Sequence, residues 1–247
     1  MTAPTLARRA LAEAIGTFFL VFAGCGAVVT DVTHDQALGT LGIAAVFGLV
    51  LVALIAALGH ISGAHFNPAV SVSFFLTRHL PARDLAAYVL AQCAGATAAA
   101  LALLAAWPDV PAHLGATMPS VGVGAALLYE GLMSLLLMLV IISVATDTRA
   151  LGAPAAIAIG AAVALDAAFG GPLTGASMNP ARSLGPALVS DTWSDFWVYL
   201  VGPLLGAPLG ALAYQYMRGE HSPDTPARHN QDTEETADGD RAVRLPA

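Results

Sequence analysis

Two short segments contain the residues whose types and spacing are most specific in this sequence. Residues 59–71 read GHISGAHFNPAVS and residues 171–183 read GPLTGASMNPARS, and the two align without gaps. Asn is a favoured N-cap, and Pro is favoured at the first helical position, where its missing N–H costs nothing. Each segment is therefore predicted to be an irregular stretch leading into a capped helix. The residues of the two caps are Asn67, Pro68, Ala69, Asn179, Pro180 and Ala181.

The chemistry of this pair follows from helix capping. The cap uses the side-chain oxygen of Asn, which leaves its NH₂ group as a donor. Two such donors facing one lumen, backed by the positive ends of two helix dipoles, would bind water and repel cations and hydronium. The carbonyls before each Asn lack helical partners and are predicted to line this wet pore. They belong to Gly63, Ala64, His65, Phe66, Gly175, Ala176, Ser177 and Met178.

The composition places these segments in a membrane protein. The chain is 57% hydrophobic and only 11% charged, whereas soluble domains carry about 25% charged residues. Charges are concentrated after residue 217, so the preceding body cannot form a soluble surface. A net charge of −7 without a basic patch excludes a nucleic-acid binder. Cys25 and Cys93 lie in apolar stretches and are expected to be packed thiols.

Apolar stretches predict six membrane-spanning helices, which makes the protein all-α. They cover about 14–30, 39–59, 85–106, 121–145, 150–169 and 195–217. The segments that follow Asn67 and Asn179 are shorter: about 16 Å as helix, against about 30 Å of hydrocarbon. Each is predicted to be a re-entrant half-helix that crosses half of the bilayer.

Arginine placement predicts the topology. Arginines occur before the first span, between the second and third, after the fourth and after the sixth, while the other loops contain Asp and no Arg. The positive-inside rule then places both termini in the cytoplasm. We expect a multi-pass protein of the cell membrane (inner or plasma membrane). Residues 1–218 are predicted to form the channel domain, and residues 219–247, rich in Asp, Glu, Thr and Pro, a disordered tail.

The two halves form a repeat. Glu13 in the first span has a counterpart in Glu130 of the fourth, so the repeats cover about 8–106 and 121–217. Three spans in each half force opposite orientations, and an inverted repeat predicts a pathway at the midplane. Glu13 and Glu130 are predicted to accept hydrogen bonds from the irregular loops, because buried carboxylates need partners; a proton relay is the alternative.

Residues 8–217 resemble the aquaporins of the major intrinsic protein family. The paired Asn-Pro-Ala motifs carry this resemblance, and the segment AEAIGTFFLVFAGCG at 12–26 is closest to the nodulin-like intrinsic proteins of plants and their bacterial relatives. The resemblance implies an aquaporin-like fold and a homotetramer with one pore per subunit. It also implies a passive channel for water and small uncharged solutes, with no cofactor, metal or catalytic residue.

The resemblance further implies a selectivity filter formed by Phe47, Ala167, Ala176 and Arg182. Strict water channels place His at the Ala167 position, and glycerol channels typically place Trp at the Phe47 position. Two alanines leave a wider gate, so glycerol or metalloid hydroxides (arsenite, boric or silicic acid) are expected to pass with water. Asp166 adjoins the filter but points about 100° away from it around the helix. It is expected to be a hydrogen-bonded buried acid or an interfacial residue.

Other functions stay open at this point. One alternative is a channel used mainly for glycerol or metalloid hydroxides, with water incidental. A proton-coupled transporter would require uptake that depends on a gradient, and a structural junction protein would have no significant permeability. An enzyme is disfavoured, because the spans contain no nucleophile–base or metal-binding motif.

Overall fold

The computed structural model describes residues 4–147 and 155–219. These residues form six long helices and two short ones, which confirms the predicted all-α membrane fold with an inverted repeat of three spans in each half. The long helices are α1 (Leu6–Thr33), α2 (Gly39–Ser62), α4 (Ala82–Ala106), α5 (Val123–Thr146), α6 (Ala155–Thr174) and α8 (Val198–Arg218). The short ones are α3 (Pro68–Leu76) and α7 (Pro180–Ser190).

Helices α1, α2, α4 and α6 extend beyond the apolar stretches that predict them at one end or both, whereas α5 and α8 begin two or three residues later than predicted. Helix α1 begins at Leu6, where the Thr5 hydroxyl accepts a hydrogen bond from the Arg8 amide at 3.4 Å. The apolar pattern marks only the part of a helix that lies in hydrocarbon, whereas polar first turns continue into the headgroup region. Helix α2 begins where the Asp31 carboxylate accepts from the amides of Leu38 at 2.9 Å and Gly39 at 2.7 Å.

The domain boundary at residue 218 remains a prediction. Residues up to Tyr214 form one compact unit. The predicted start of the fifth span at residue 150 lies outside the described residues, as does the predicted tail beyond Gly219.

The two short helices are too short to cross a bilayer. Helix α3 has nine residues and α7 has eleven, about 14 and 16 Å of helix against about 30 Å of hydrocarbon. Both are capped by an Asn and start at a Pro, as the paired motifs predict. Each therefore ends inside the membrane region, and the backbone leading into it must find partners there.

The outward-facing side chains of the spans are apolar. Leu41, Leu49 and Leu90 are 75%, 67% and 72% exposed, while Glu13 and Glu130 are fully buried. This arrangement is the reverse of a soluble protein and suits a helix bundle surrounded by lipid.

The spans pack closely through glycines at two matching places in the repeat. A Cβ added at Gly95 of α4 would lie 2.2 Å from the carbonyl oxygen of Ala14 in α1. A Cβ added at Gly206 of α8 would lie 1.9 Å from the carbonyl oxygen of Gly131 in α5. Small residues allow helix backbones to approach where no hydrophobic driving force acts between helices.

Replacing Gly206 by Ala is expected to destabilise the protein by about 1–3 kcal/mol, because the added methyl group must push α8 away from α5. Gly124 of α5 is the matched control, since nothing lies within 4 Å of a Cβ added there. Gly124→Ala should be neutral or stabilising by up to about 1 kcal/mol through helix propensity. Thermal unfolding in detergent measures both variants, and equal shifts would contradict the packing account.

Candidate pore and selectivity site

The two half-helices meet through their Asn caps. The side-chain oxygen of Asn67 accepts from the Ala69 amide at 2.9 Å, and its Nδ2 donates to the carbonyl of Met178 at 2.8 Å. The first cap therefore both begins α3 and bonds to the loop of the other half.

The second cap repeats this arrangement in the opposite direction. The oxygen of Asn179 accepts from the amides of Ala181 at 3.0 Å and Arg182 at 3.2 Å, and its Nδ2 donates to the carbonyl of Phe66 at 2.9 Å. The expectation that the whole NH₂ group stays available for the pore is therefore wrong. Each Asn gives one of its two amide hydrogens to the opposite loop, which leaves one hydrogen as a donor.

The loops before the two caps share an unusual backbone conformation. Positive φ angles occur at matching positions of the repeat, four of them in residues other than glycine. The residues are Gly63 (91°), Ala64 (52°), Phe66 (49°), Gly175 (85°), Ala176 (41°) and Met178 (52°). A residue with a Cβ is destabilised in this region by about 1–2 kcal/mol, so neighbouring contacts must hold the loops in place.

The carboxylate of Glu13 holds the first loop. It accepts from the amides of His65 at 3.0 Å and Phe66 at 2.6 Å, from the hydroxyl of Ser62 at 2.7 Å and from Nε2 of Gln92 at 2.9 Å. Both oxygens are occupied by donors, and the side chain has no exposure to solvent.

Glu130 holds the second loop in the same way. It accepts from the amides of Ser177 at 2.9 Å and Met178 at 2.8 Å and from the hydroxyl of Thr174 at 2.7 Å. Pro203 stands where Gln92 stands in the first half, so Glu130 has one side-chain donor fewer. These carboxylates contact loop amides, as a supporting role requires.

Two buried tyrosines complete the support. Tyr88 donates its hydroxyl hydrogen to the carbonyl of Ser62, and Tyr199 donates to the carbonyl of Thr174, both at 2.6 Å. Tyr88, Ser62, Tyr199 and Thr174 are not among the predicted site residues. Their matching places in the repeat are a signal that could have identified them.

Two cavities meet at the predicted filter. An inner cavity of about 70 Å³ extends past Asn67 and Asn179, and an outer one of about 310 Å³ lies beyond it. Phe47, Ala167 and Arg182 line both cavities and thus stand at their boundary. The fourth predicted filter residue, Ala176, lines the inner cavity alone.

Arg182 is held in a defined position at this boundary. Its Nη1 donates to the carbonyl of Gly115 at 2.8 Å, and its Cζ lies 5.2 Å from the centre of the Phe47 ring, within cation–π range. The residue is only 3% exposed, and its Nε has no hydrogen-bond partner in the described part of the chain. Because Nε is shielded from the cavities, the N–H groups that can face them are those of Nη1 and Nη2 that do not bond to Gly115.

The predicted pore-lining loop residues divide into three groups. Six of the eight line the inner cavity: Gly63, Ala64, His65, Ala176, Ser177 and Met178. Gly175 lines the outer cavity, and Phe66 lines neither. The carbonyls of Phe66 and Met178 each accept from the opposite Asn cap, which leaves each oxygen one further lone pair, so the expectation that all eight carbonyls serve the pore stays a prediction.

Asp166 differs from its prediction. It is fully buried on α6, so it is not interfacial, and neither carboxylate oxygen has a hydrogen-bond partner among the described residues. Its counterpart in the first half is the apolar Leu54. The expectation of a hydrogen-bonded acid is therefore wrong. A buried carboxyl group without partners destabilises the protein that contains it.

Asp166→Ala is expected to stabilise the protein by about 1–3 kcal/mol, because it removes a buried polar group without a partner. Asp84→Ala is the matched control: Asp84 is 3% exposed but forms an ion pair with Arg9 at 2.7 Å. The control should lower stability, since it leaves Arg9 unpaired. Unfolding midpoints in detergent measure both, and a loss of stability in Asp166→Ala would contradict this account.

Comparison with known proteins reveals relatives that match nearly the whole described chain. The sequence model described as Major intrinsic protein matches residues 1–214. Aquaporin NIP1-1 of Zea mays is 45% identical over 216 residues, which cover 87% of this chain and 77% of that protein. Nodulin-26 of Glycine max is 44% identical, with 87% and 80% covered. The solved structure of the aquaglyceroporin from Plasmodium falciparum matches with a TM-score of 0.76 at 26% identity, covering 85% of this chain and 96% of its own.

Proposed function

The chain belongs to the major intrinsic protein family, and on that premise we propose that it conducts water and small uncharged solutes while excluding ions and protons. The family resemblance inferred from the motifs is confirmed, including its similarity to plant nodulin-like proteins. Members of this family are passive channels, so the protein is a multi-pass membrane channel for water and small solutes rather than an enzyme.

The paired Asn caps support the exclusion of ions. Helices α3 and α7 begin at the same place, so the positive ends of two helix dipoles point at one stretch of pore. Each Asn keeps one amide hydrogen to donate to a passing water. A cation there would meet donors and positive partial charges without a compensating anion.

The shape and chemistry of the filter support passage of solutes larger than water. Ala167 carries only a methyl group, so the gate beside Arg182 and Phe47 is wider than one closed by His. The guanidinium group of Arg182 has five N–H groups and gives one to the Gly115 carbonyl, so those of its terminal nitrogens that remain can donate to a hydroxyl group, while the ring of Phe47 can pack against C–H groups. This pairing suits small neutral polyols and hydroxylated metalloids. The structural neighbour from Plasmodium falciparum is described as an aquaglyceroporin, which agrees with this proposal.

The assembly and membrane orientation belong to the same proposal. A homotetramer in the plasma membrane, with both termini cytoplasmic, follows from the family and from arginine placement. The Arg9–Asp84 ion pair supports the orientation in part, since it joins the start of α1 to the start of α4 on one side of the membrane.

Stopped-flow light scattering on proteoliposomes tests the solute range with water, glycerol, urea and neutral arsenous acid. The proposal expects faster water exchange together with uptake of glycerol and arsenous acid. Water flux without solute flux would refute the wide filter, and strong solute flux with little water flux would favour a channel dedicated to glycerol or metalloids. A folded protein with no permeability at all would favour a structural junction protein.

Ala167→His is expected to lower glycerol permeability by about tenfold or more while water permeability changes little. The imidazole ring would narrow the boundary between the two cavities beyond the width of a polyol. Ala168→His, on the neighbouring and half-buried residue of α6, is the matched control for adding a ring to this helix. Equal losses of glycerol flux in both variants would show that the effect does not come from the filter.

Arg182→Val is expected to raise proton and cation leak by roughly 10- to 100-fold. At an effective dielectric constant of about 20, a unit charge about 6 Å from a passing cation contributes roughly 3 kcal/mol of repulsion. Arg83→Val is the control, because the Arg83 side chain is 81% exposed outside the pore. Proton flux is measured with a pH-sensitive dye trapped in the vesicles; an unchanged leak would remove the role proposed for Arg182.

A further inference from the structure

We infer that Cys25, on α1, is a positioning residue of the selectivity filter, which it influences through the carbonyl of Gly115. The inference rests on the proposed role of Arg182 as a filter residue. The thiol of Cys25 donates to the Gly115 carbonyl at 3.6 Å, and the same oxygen accepts from Nη1 of Arg182 at 2.8 Å. A carbonyl oxygen has two lone pairs and can accept both hydrogen bonds. One backbone atom therefore joins the buried thiol to the filter arginine.

The backbone that carries this carbonyl is strained. The connection between α4 and α5 contains a left-handed turn at Pro111–Gly115, entered from Val110. The φ angles are 52° at Val110, 50° at Ala112, 48° at His113, 53° at Leu114 and 74° at Gly115. Residues with a Cβ are disfavoured in this conformation, and a β-branched residue such as Val is most disfavoured. The turn does not form from local preference, so contacts with the helices must hold it.

The contacts that hold the turn centre on Cys25. Leu114 is fully buried in a cluster with Cys25, Val21 and Ala181. A Cβ added at Gly115 would lie 2.7 Å from the Cβ of Cys25, so the backbone of the turn lies directly on this residue. Glycine is required at position 115 for this approach, and the thiol of Cys25 adds a hydrogen bond that a methyl group cannot make.

The position of the Gly115 carbonyl decides where the guanidinium group points. With Nη1 bonded to this oxygen, the guanidinium group is fixed where Arg182 lines both cavities. If the turn relaxed away from α1, the carbonyl would move with it, and the guanidinium group would no longer be presented to a solute in the same place. Cys25 does not line either cavity, so it acts on permeation only through this carbonyl.

Cys25→Ala and Cys25→Ser separate this role from simple packing. Alanine removes the donor, and serine keeps a donor in a side chain of similar size. Cys93→Ala is the matched control, since Cys93 packs at the edge of the same cluster but does not bond to the Gly115 carbonyl. The readout is the ratio of glycerol to water permeability in proteoliposomes, together with proton leak. A loss of folded protein lowers both permeabilities in proportion and leaves the ratio unchanged.

Cys25→Ala is expected to change the glycerol-to-water ratio by about threefold or more and to raise proton leak, whereas Cys25→Ser and Cys93→Ala stay within about 1.5-fold of the unmodified protein. An unchanged ratio in Cys25→Ala, or equal changes in the Ala and Ser variants, would overturn the inference. Arg182→Val, measured in the same series, distinguishes a failure of the proposed filter role of Arg182 from a failure of the positioning role of Cys25. If that variant also leaves the ratio and the leak unchanged, the proposed filter role of Arg182 fails; if it alters them while Cys25→Ala does not, only the role of Cys25 fails.

Discussion

The reciprocal hydrogen bonds from each Asn cap to the loop of the other half are the contacts on which the rest of the pore depends. Two half-helices that end inside a membrane leave backbone amides and carbonyls without water to satisfy them. Asn67 and Asn179 solve both problems, since each caps its own helix with oxygen and satisfies a carbonyl of the other half with nitrogen. This exchange fixes the distance between the helix ends. The carboxylates of Glu13 and Glu130 hold the left-handed loops, and these loops place each Asn at the start of its half-helix beside the other half.

Much of this arrangement is predictable from the sequence, because local rules govern it. Long apolar stretches predict the spans, Asn followed by Pro predicts the caps, and the repeated motif predicts that the half-helices enter from opposite sides. The destination of each Asn amide hydrogen is not predictable in this way, since it depends on contacts between residues more than a hundred positions apart. The lack of a partner for the Asp166 carboxyl group is equally unpredictable, because a sequence does not reveal which buried acids lack hydrogen-bond partners.

The turn at Pro111–Gly115 could not be predicted for a different reason. Val110 and Leu114 have side chains that disfavour positive φ, so their local preferences point away from the observed conformation. The burial of Leu114 against α1, the bonds made by the Gly115 carbonyl and the hydrogen bond between His113 and Thr192 account for it. Local and tertiary preferences therefore conflict at the segment that positions the filter arginine. Conflicts of this kind are expected where a site needs a defined geometry rather than maximal stability.

The inverted repeat separates two tasks within one pore. The capped half-helices and the loops before them are symmetric. Gly48 and Gly160 show the same symmetry, since a Cβ added at either would lie 2.6 Å from the carbonyl oxygen of the other. The side chains are not symmetric. The positions that correspond to Phe47, Ala167 and Arg182 are occupied by Ile159, Ile55 and Val70, which line the inner cavity without a charged or polar side-chain group.

An apolar counterpart of the filter can narrow the pore but cannot donate to a hydroxyl group or repel a cation through a side-chain charge. The proposed barrier from two opposed helix dipoles belongs to the symmetric backbone, and it does not depend on which end carries the arginine. In the proposed function, recognition of the solute belongs to one end, where Arg182 is anchored by a turn that has no counterpart in the motif alignment. Changes near that turn should therefore alter which neutral solutes pass, while changes at the Asn caps should alter whether the pore forms.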